Sequence, residues 1–145
     1  HIKQVMRDTG AIYGGEMSAH HYFRDFMACD SGMIPWLLMV ELIGRRGESL
    51  KDILAERRAA YPSSGEVNFR VGDQTAVIDR IEAEYAPQAE GRDETDGLSL
   101  DFGDWRFNLR ASNTEPLLRL NIEARGDAGL VKEKLAEMRR LIEAD

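Results

Sequence analysis

The sequence has one cysteine, three histidines and no long uninterrupted apolar run. The single Cys29 cannot form an internal disulfide, which indicates a reducing compartment and predicts a cytoplasmic protein. So few cysteines and histidines argue against a Cys/His zinc site. The longest apolar stretch, residues 33–42, is interrupted by Pro35 and Glu41 and is shorter than the ~18 residues of a membrane span. We therefore expect neither a structural zinc nor a membrane partner.

The chain also has no excess of positive charge. Against 26 Asp and Glu the chain carries 19 Lys and Arg, a net charge of −7. An acidic chain does not favour binding to the phosphate backbone of nucleic acid, so no nucleic-acid partner is expected. The balance still allows a local site for a single anion. A hydrophobic share of 43% over 145 residues predicts a folded protein rather than a disordered one.

The chain begins within a helical pattern. Ile2, Val5 and Met6 have helical spacing, but no capping residue precedes them. This start predicts a piece cut from a longer protein; a naturally short first helix is the alternative. Further along, residues 62–65 (Pro-Ser-Ser-Gly) have the composition of a linker. We therefore predict a domain boundary there, with domains at residues 1–62 and 63–145.

The fold class predicted from the periodicity is α+β. In the first domain, apolar residues 11–13 predict a buried strand, and Asp30 or Ser31 can cap a helix that is apolar on nearly all sides and should be buried. After the linker the pattern reads β-α-β-β-β-α, with residues 91–96 as a charged loop. This order predicts a small domain with a mostly antiparallel four-stranded sheet and two helices on one face.

The first candidate site is a short polar segment after two glycines. In an extended backbone Glu16, Ser18 and His20 project to one face, because side chains alternate along a strand. A carboxylate and a hydroxyl suit the vicinal diol of a sugar, and an imidazole can move protons near neutral pH. An ordinary polar strand face with a turn is the alternative.

The second candidate site lies between two predicted strands. Arg110 offers a planar fork of hydrogen-bond donors suited to phosphate. Ser112, Asn113 and Thr114 add further donors and favour turns whose N–H groups bind anions. A β-turn with polar decoration is the alternative. Arg119, on the following strand, is either a second cation nearby or a solvated outer residue, and the alternation pattern favours the solvated position.

Read together and in this order, the two segments resemble the phosphohexomutase superfamily, and most closely its bacterial phosphomannomutase/phosphoglucomutase branch. Residues 15–20 (Gly-Glu-Met-Ser-Ala-His) are similar to its sugar-binding loop, usually Gly-Glu-Met-Ser-Gly-His, and residues 110–116 (Arg-Ala-Ser-Asn-Thr-Glu-Pro) to its phosphate-binding loop. The resemblance covers essentially the whole chain. It implies that residues 1–62 are the C-terminal half of the family's third domain, and thus a partial α/β domain, and that residues 63–145 are its fourth.

The resemblance also implies an activity and a role for each residue. The parent enzyme would be an isomerase that interconverts hexose 6-phosphate and hexose 1-phosphate through a bisphosphorylated sugar. Glu16 and Ser18 would bind sugar hydroxyls, and His20 would carry a proton or orient the reacting hydroxyl. The phosphate that is not being transferred would be held by Arg110, Ser112, Asn113 and Thr114.

The same resemblance implies partners and a cofactor. The partners would be a phosphorylated hexose and the remainder of the parent chain. The reactive phosphoserine and the Mg²⁺ site of the family have no counterpart motif in these 145 residues, so the piece alone should be inactive and Mg²⁺ should bind outside it.

Two positions bear on the resemblance. Ala19 stands where the family usually has glycine, so the loop either has a negative φ there or tolerates a methyl group. Met17 stands where phosphoglucosamine mutases usually have glutamine, which favours a plain hexose. The alternatives are a phosphoglucosamine mutase fragment, a non-catalytic phosphosugar-binding module and a structural interaction domain.

Overall fold

The structure, a computed structural model, describes residues 2–16, 18–112 and 115–144. These ranges contain five α-helices and eight β-strands, and the chain forms two compact units, residues 1–53 and 54–145. In chain order the elements are α1 (Ile2–Thr9), β1 (Tyr13–Gly15), β2 (His21–Phe23), β3 (Cys29–Asp30), α2 (Met33–Arg46), α3 (Leu50–Ala60), β4 (Val67–Arg70), α4 (Gln74–Tyr85), β5 (Gly91–Asp93), β6 (Leu98–Asp101), β7 (Trp105–Ala111), β8 (Leu117–Ala124) and α5 (Ala128–Ile142).

The first unit is built around a small antiparallel sheet in the order β1-β2-β3. Tyr22 lies in the middle of it, opposite Gly14 on one side and Asp30 on the other. Helix α1 packs closely on β1: a Cβ atom at Gly14 would lie 2.7 Å from a methyl group of Ile2 and 2.9 Å from the sulfur of Met6. The absence of a side chain at Gly14 therefore allows the helix to approach the hairpin that carries the first candidate site.

Two burial predictions for this unit are wrong. Strand β1 begins at Tyr13 and is an edge strand, so Ile12 lies outside it and is 68% exposed. No residue of α2 is buried. Three strands of two or three residues present too little surface to cover a 14-residue helix that is apolar on nearly all sides. Within the described ranges, no helix is both long and apolar enough to cross a membrane.

The second unit confirms the predicted fold class. Its sheet is antiparallel throughout, in the order β4-β8-β7-β6-β5, and α4 and α5 pack on each other and on the same face of it. The predicted helix caps are present, because Asp73 accepts from the N–H of Ala76 and Asp127 from those of residues 129 and 130. The core is centred on β8, where alternate side chains are almost fully buried: Leu118, Leu120, Ile122 and Ala124.

The strand count of four is wrong, because the residues predicted to be a charged loop begin with the edge strand β5. Strand β5 pairs with β6, and Arg92 lies opposite Leu100. Charged side chains are common on edge strands, where they discourage pairing with other chains. Such a strand lacks the apolar alternation by which strands are recognised in sequence.

The predicted linker is hydrogen-bonded to the second unit. The carbonyl of Pro62 accepts from the N–H of Ala124, and Ser64 both donates to the carbonyl of Ile122 and accepts from its N–H through Oγ. The division between the two compact units lies earlier, between residues 53 and 54 inside α3. The boundary between family domains at 62/63 stays a prediction.

Candidate functional site

The first candidate site lies in the loop that joins β1 to β2. The N–H of Glu16 donates to the carbonyl of His20 at 2.9 Å, and the N–H of Ala19 donates to the carbonyl of Glu16 at 3.0 Å. The segment is therefore a tight hairpin loop between paired strands, so the alternation of side chains along an extended strand does not apply to it. Ala19 has a φ of +63°, so the loop tolerates a methyl group in the left-handed conformation. The turn still brings polar side chains of the segment together.

Glu16 and Ser18 are hydrogen-bonded to each other. The Ser18 hydroxyl donates to Oε2 of Glu16 at 3.2 Å, and the Tyr22 hydroxyl donates to Oε1 at 2.7 Å. The bond from Tyr22 is the largest cause that lowers the pKa of Glu16, and the same bond raises the pKa of Tyr22. At neutral pH the site thus presents an ionised carboxylate with a hydroxyl on each side. Tyr22 was not among the predicted site residues, because only the β1–β2 register brings it to Glu16.

His20 forms a close ion pair with Asp30 across the loop. Its Nδ1 lies 2.6 Å from Oδ2 of Asp30, and Oδ1 of the same carboxylate accepts from the N–H of His21 at 3.0 Å. The hydrogen bond and the charge of Asp30 raise the pKa of His20, and the reciprocal bond lowers that of Asp30. The N-cap residue of α2 is Gly32, and the preceding Ser31 accepts from the N–H of Ile34 through Oγ at 3.3 Å. Of the two predicted capping residues, Asp30 instead binds the histidine.

The second candidate site lies at the end of β7. Arg110 is opposite Arg119 of β8, so the two guanidinium groups extend from neighbouring strands. Both contribute to the wall of a cavity of about 500 Å³. Other residues that line it are Ile78, Thr95, Asp96, Gly97, Ala111 and Ser112. The structure therefore brings Arg110 and Ser112 to one cavity, whereas Asn113 and Thr114 lie outside the described residues.

The prediction for Arg119 is wrong. Its side chain is 29% exposed, it lines the cavity, and its Nε is buried with no hydrogen-bond partner in the part of the chain that the structure describes. The alternation along β8 is correct, since Leu118 and Leu120 point into the core. However, the opposite face of the sheet is not uniformly solvated: at this end it forms the cavity wall. Sequence alternation alone cannot separate these two surroundings.

Two carboxylates accompany the arginines. Oε2 of Glu66 lies 3.2 Å from Nη2 of Arg110, and Oε1 of the same group lies 3.7 Å from Nη1 of Arg119. Asp96 is more exposed and lies 3.4 Å from Nη1 of Arg110. The Glu66 carboxylate thus bridges two guanidinium groups, an arrangement that also suits a phosphate. Glu66 was not among the predicted site residues, since 44 residues separate it from Arg110.

No group of three or more His, Cys, Asp or Glu side chains within residues 2–16, 18–112 and 115–144 is placed to hold a metal ion. The carboxylates of both candidate sites are already bound to cations or to hydrogen-bond donors. The chemistry available in these residues is therefore hydrogen bonding, charge pairing and proton transfer.

Comparison with known proteins matches both parts of the chain to one family. The model of phosphoglucomutase/phosphomannomutase alpha/beta/alpha domain III matches residues 1–61, and that of the phosphoglucomutase/phosphomannomutase C-terminal domain matches residues 66–141. A solved structure of a phosphoglucomutase/phosphomannomutase family protein from Burkholderia thailandensis superposes with a TM-score of 0.69 at 26% identity, over 99% of this chain and 31% of that one.

Curated relatives agree with the family models. A phosphomannomutase of Salmonella montevideo is 57% identical over 141 residues, which are 97% of this chain and 31% of the relative. A protein named phosphohexose mutases from Xanthomonas campestris pv. campestris is 56% identical over 97% of this chain and 32% of the relative. The chain thus spans about a third of the length of the relatives that it matches.

Proposed function

Because the chain belongs to the phosphoglucomutase/phosphomannomutase family, we propose that it is the substrate-recognition part of an enzyme that interconverts hexose 6-phosphate and hexose 1-phosphate. The relatives are named phosphomannomutase and phosphohexose mutases, which supports a phosphorylated hexose as substrate and a role in carbohydrate metabolism. The observation that carries the proposal is the pair of guanidinium groups, Arg110 and Arg119, on the wall of one cavity.

In this proposal the cavity holds the phosphate that is not being transferred. Arg110 and Arg119 neutralise the dianion and donate from two directions, and Ser112 adds a donor. Asn113 and Thr114 belong to the same proposed loop on the basis of the family resemblance. Anchoring this phosphate supplies binding energy that orients the reacting oxygen at the other end of the sugar.

The hairpin loop recognises the sugar itself in this proposal. The ionised Glu16 accepts hydrogen bonds from two sugar hydroxyls, and Ser18 donates or accepts one more. An incoming hydroxyl must compete with Tyr22, which already donates to Glu16 at 2.7 Å. His20, 53% exposed beside this loop, is the group proposed to carry the proton of the reacting hydroxyl.

Enzymes of this family generally depend on a metal ion. The described residues do not offer a fitting site, so we assign Mg²⁺ to a part of the enzyme outside these 145 residues and derive no step through it. The chain by itself is therefore proposed to bind substrate without converting it. A cytoplasmic location is part of the proposal and depends on the single Cys29.

The experiment is an NMR titration of the ¹⁵N-labelled chain with mannose 1-phosphate. We expect shifts at Arg110 and Ser112, and Arg110→Ala should weaken binding at least about tenfold, because a charged hydrogen bond contributes about 1.5–3 kcal/mol. Arg106→Ala is the matched control: this arginine lies on the same strand but pairs with Glu123 and is 65% exposed.

Unphosphorylated mannose separates the two parts of the proposed site. It should shift residues of the hairpin loop, such as Glu16 and Ser18, and leave Arg110 unchanged. The proposal fails if mannose 1-phosphate causes no shift at Arg110 at millimolar concentration, or if Arg106→Ala weakens binding as much as Arg110→Ala does.

A further inference from the structure

The contact between His20 and Asp30 is held in place by the backbone of the sheet. Asp30 is the last residue of β3 and lies opposite Tyr22, while the N–H of Ser31 donates to the carbonyl of His21 at 2.9 Å. One carboxylate oxygen of Asp30 accepts from the N–H of His21, and the other lies 2.6 Å from Nδ1 of His20. The carboxylate thus has both oxygens engaged and a fixed direction toward the imidazole.

This geometry determines which ring nitrogen of His20 carries the proton. An ionised carboxylate only accepts hydrogen bonds, so the nitrogen that faces it must carry hydrogen. A neutral His20 therefore has its proton on Nδ1, which leaves the lone pair on Nε2, the nitrogen that Asp30 does not contact. The Nε2 atom is then the one that can accept a proton from a ligand.

We propose that Asp30 is a positioning residue that holds His20 in the Nδ1–H form, so that Nε2 exchanges the proton of the reacting sugar hydroxyl. This inference rests on the proposed function. The proton moves from the hydroxyl oxygen to Nε2, and the imidazolium that forms is balanced by the charge of Asp30. In the reverse direction the Nε2 proton returns to the sugar oxygen, which restores the neutral ring. No other co-reactant is needed for this transfer.

The surroundings of His20 distinguish this role from an ordinary surface ion pair. Among the described residues, the charges of Asp30 on β3 and of Glu16 at the start of the loop act on the ring. Both raise the pKa of His20, although Asp30 has the larger effect, and partial burial lowers it. The two carboxylates thus stabilise the imidazolium that forms when Nε2 takes up a proton, and the side chain that carries Nε2 is 53% exposed.

The neighbouring histidine provides an internal reference. Nδ1 of His21 lies 2.7 Å from the hydroxyl of Tyr13, a group that can either donate or accept. That contact does not select a tautomer. The two adjacent histidines thus differ in the one feature to which we assign the role, namely the carboxylate partner.

The test is long-range ¹H–¹⁵N NMR of the histidine rings in the 145-residue chain between about pH 5 and 9. In the wild type we expect the neutral form of His20 to carry its proton on Nδ1, and the pKa of His20 to lie above the ordinary value for histidine. Asp30→Asn should lower the pKa of His20 and mix its tautomers, because an amide can donate as well as accept. Asp25→Asn is the matched control, since Asp25 is exposed and pairs with Arg24 instead.

Two results would overturn the proposal: an Nε2–H tautomer in the wild type, or a pKa and tautomer of His20 that Asp30→Asn leaves unchanged. If the Asp30→Asn chain unfolds and loses its dispersed amide spectrum, Asp30→Glu is tested in its place. We expect the longer carboxylate of that variant to hold His20 in the Nδ1–H form. Retention of the tautomer mixture in a folded Asp30→Glu chain would count against the proposal.

The same spectra separate this inference from the proposed function, because the tautomer is measured without substrate. An Nδ1–H form of His20 combined with no response to mannose 1-phosphate would support the positioning role and refute the binding proposal. Ligand shifts at Arg110 and in the hairpin loop, combined with an Nε2–H form of His20, would support the binding proposal and refute the positioning role of Asp30.

Discussion

Gly97 lies where the cavity wall is packed most tightly against β7, and replacing it with alanine tests that packing. Its φ is +76°, and a Cβ atom there would lie 2.6 Å from the carbonyl oxygen of Leu109 and 2.6 Å from Cβ of Arg110. Atoms in the wall must therefore move by about half an ångström or more to admit a methyl group, given that dispersion contacts between heavy atoms favour about 3.5–4.0 Å. The strand that moves is the one that carries Arg110.

The expected change in the free energy of unfolding of Gly97→Ala has two main contributions. A left-handed backbone costs an alanine about 1–2 kcal/mol, and forcing an extra methyl group into a packed site costs about 1–3 kcal/mol. Alanine also restricts the unfolded chain, which offsets up to about 1 kcal/mol. We therefore expect Gly97→Ala to lower the free energy of unfolding by about 1–5 kcal/mol. Gly126→Ala is the matched control, with a φ of +69° and no neighbour within 4 Å of the new methyl group, and should cost about 0–2 kcal/mol.

The assay is urea unfolding followed by the fluorescence of Trp105, in a Trp36→Phe background that leaves one tryptophan in the second unit. A difference of about 1–3 kcal/mol between Gly97→Ala and Gly126→Ala isolates the clash from the backbone strain. Gly97→Ala should also weaken phosphate binding at least about threefold, because Arg110 shifts with its strand. If the two variants unfold within about 0.3 kcal/mol of each other, the inferred close packing of Gly97 on β7 is wrong.

Three further outcomes are expected. Ala19→Gly should relieve the strain of the positive φ and slow amide exchange in the hairpin loop about twofold, about 0.5 kcal/mol; faster exchange would contradict the strain. Because the pKa of His20 is raised, its pair with Asp30 stabilises the loop below about pH 6.5, and this stabilisation is lost as pH rises through the folded pKa of His20. Because the pKa of Asp30 is lowered, the stabilisation is also lost as pH falls below about 3.8. Amide protection in β2 should follow this window in the wild type and become flatter in Asp30→Asn. Glu66→Gln should tighten binding of inorganic phosphate about fivefold, about 1 kcal/mol, by removing a carboxylate that competes for Arg110; weaker binding would mean that Glu66 holds the arginine in place instead.

The second unit could be predicted almost entirely from its sequence. Alternation along β7 and β8 and the aspartate caps of α4 and α5 are local signals, and each residue that carries them has the predicted place. The edge strand β5 could not be recognised, because its sequence Gly-Arg-Asp has no apolar alternation. The prediction that α2 is buried failed for a different reason. An apolar composition indicates a helix that tends to be buried, but its burial depends on how much protein surface packs against it.

For the candidate sites, the residue types drew attention to two polar segments but not to the hydrogen-bond and charge partners of those segments. The glutamate and hydroxyl of the hairpin loop are together as the sequence predicted, although in a turn rather than a strand. Their supporting groups come from other elements: Tyr22 from β2, Asp30 from β3 and Glu66 from the start of the second unit. Each of these contacts depends on strand register or on a separation of many residues, neither of which is visible in a local pattern.

By itself the sequence indicated the family through two short motifs, and the family models over residues 1–61 and 66–141 confirm that family. These motifs are local, since they depend on residue identity and spacing alone. The tertiary structure decided which side chains meet: Arg119 beside Arg110, Glu66 between them, and Asp30 on the ring of His20. The strength and direction of charge and hydrogen-bond interactions depend on distances of a few ångströms, and only the folded chain determines those distances.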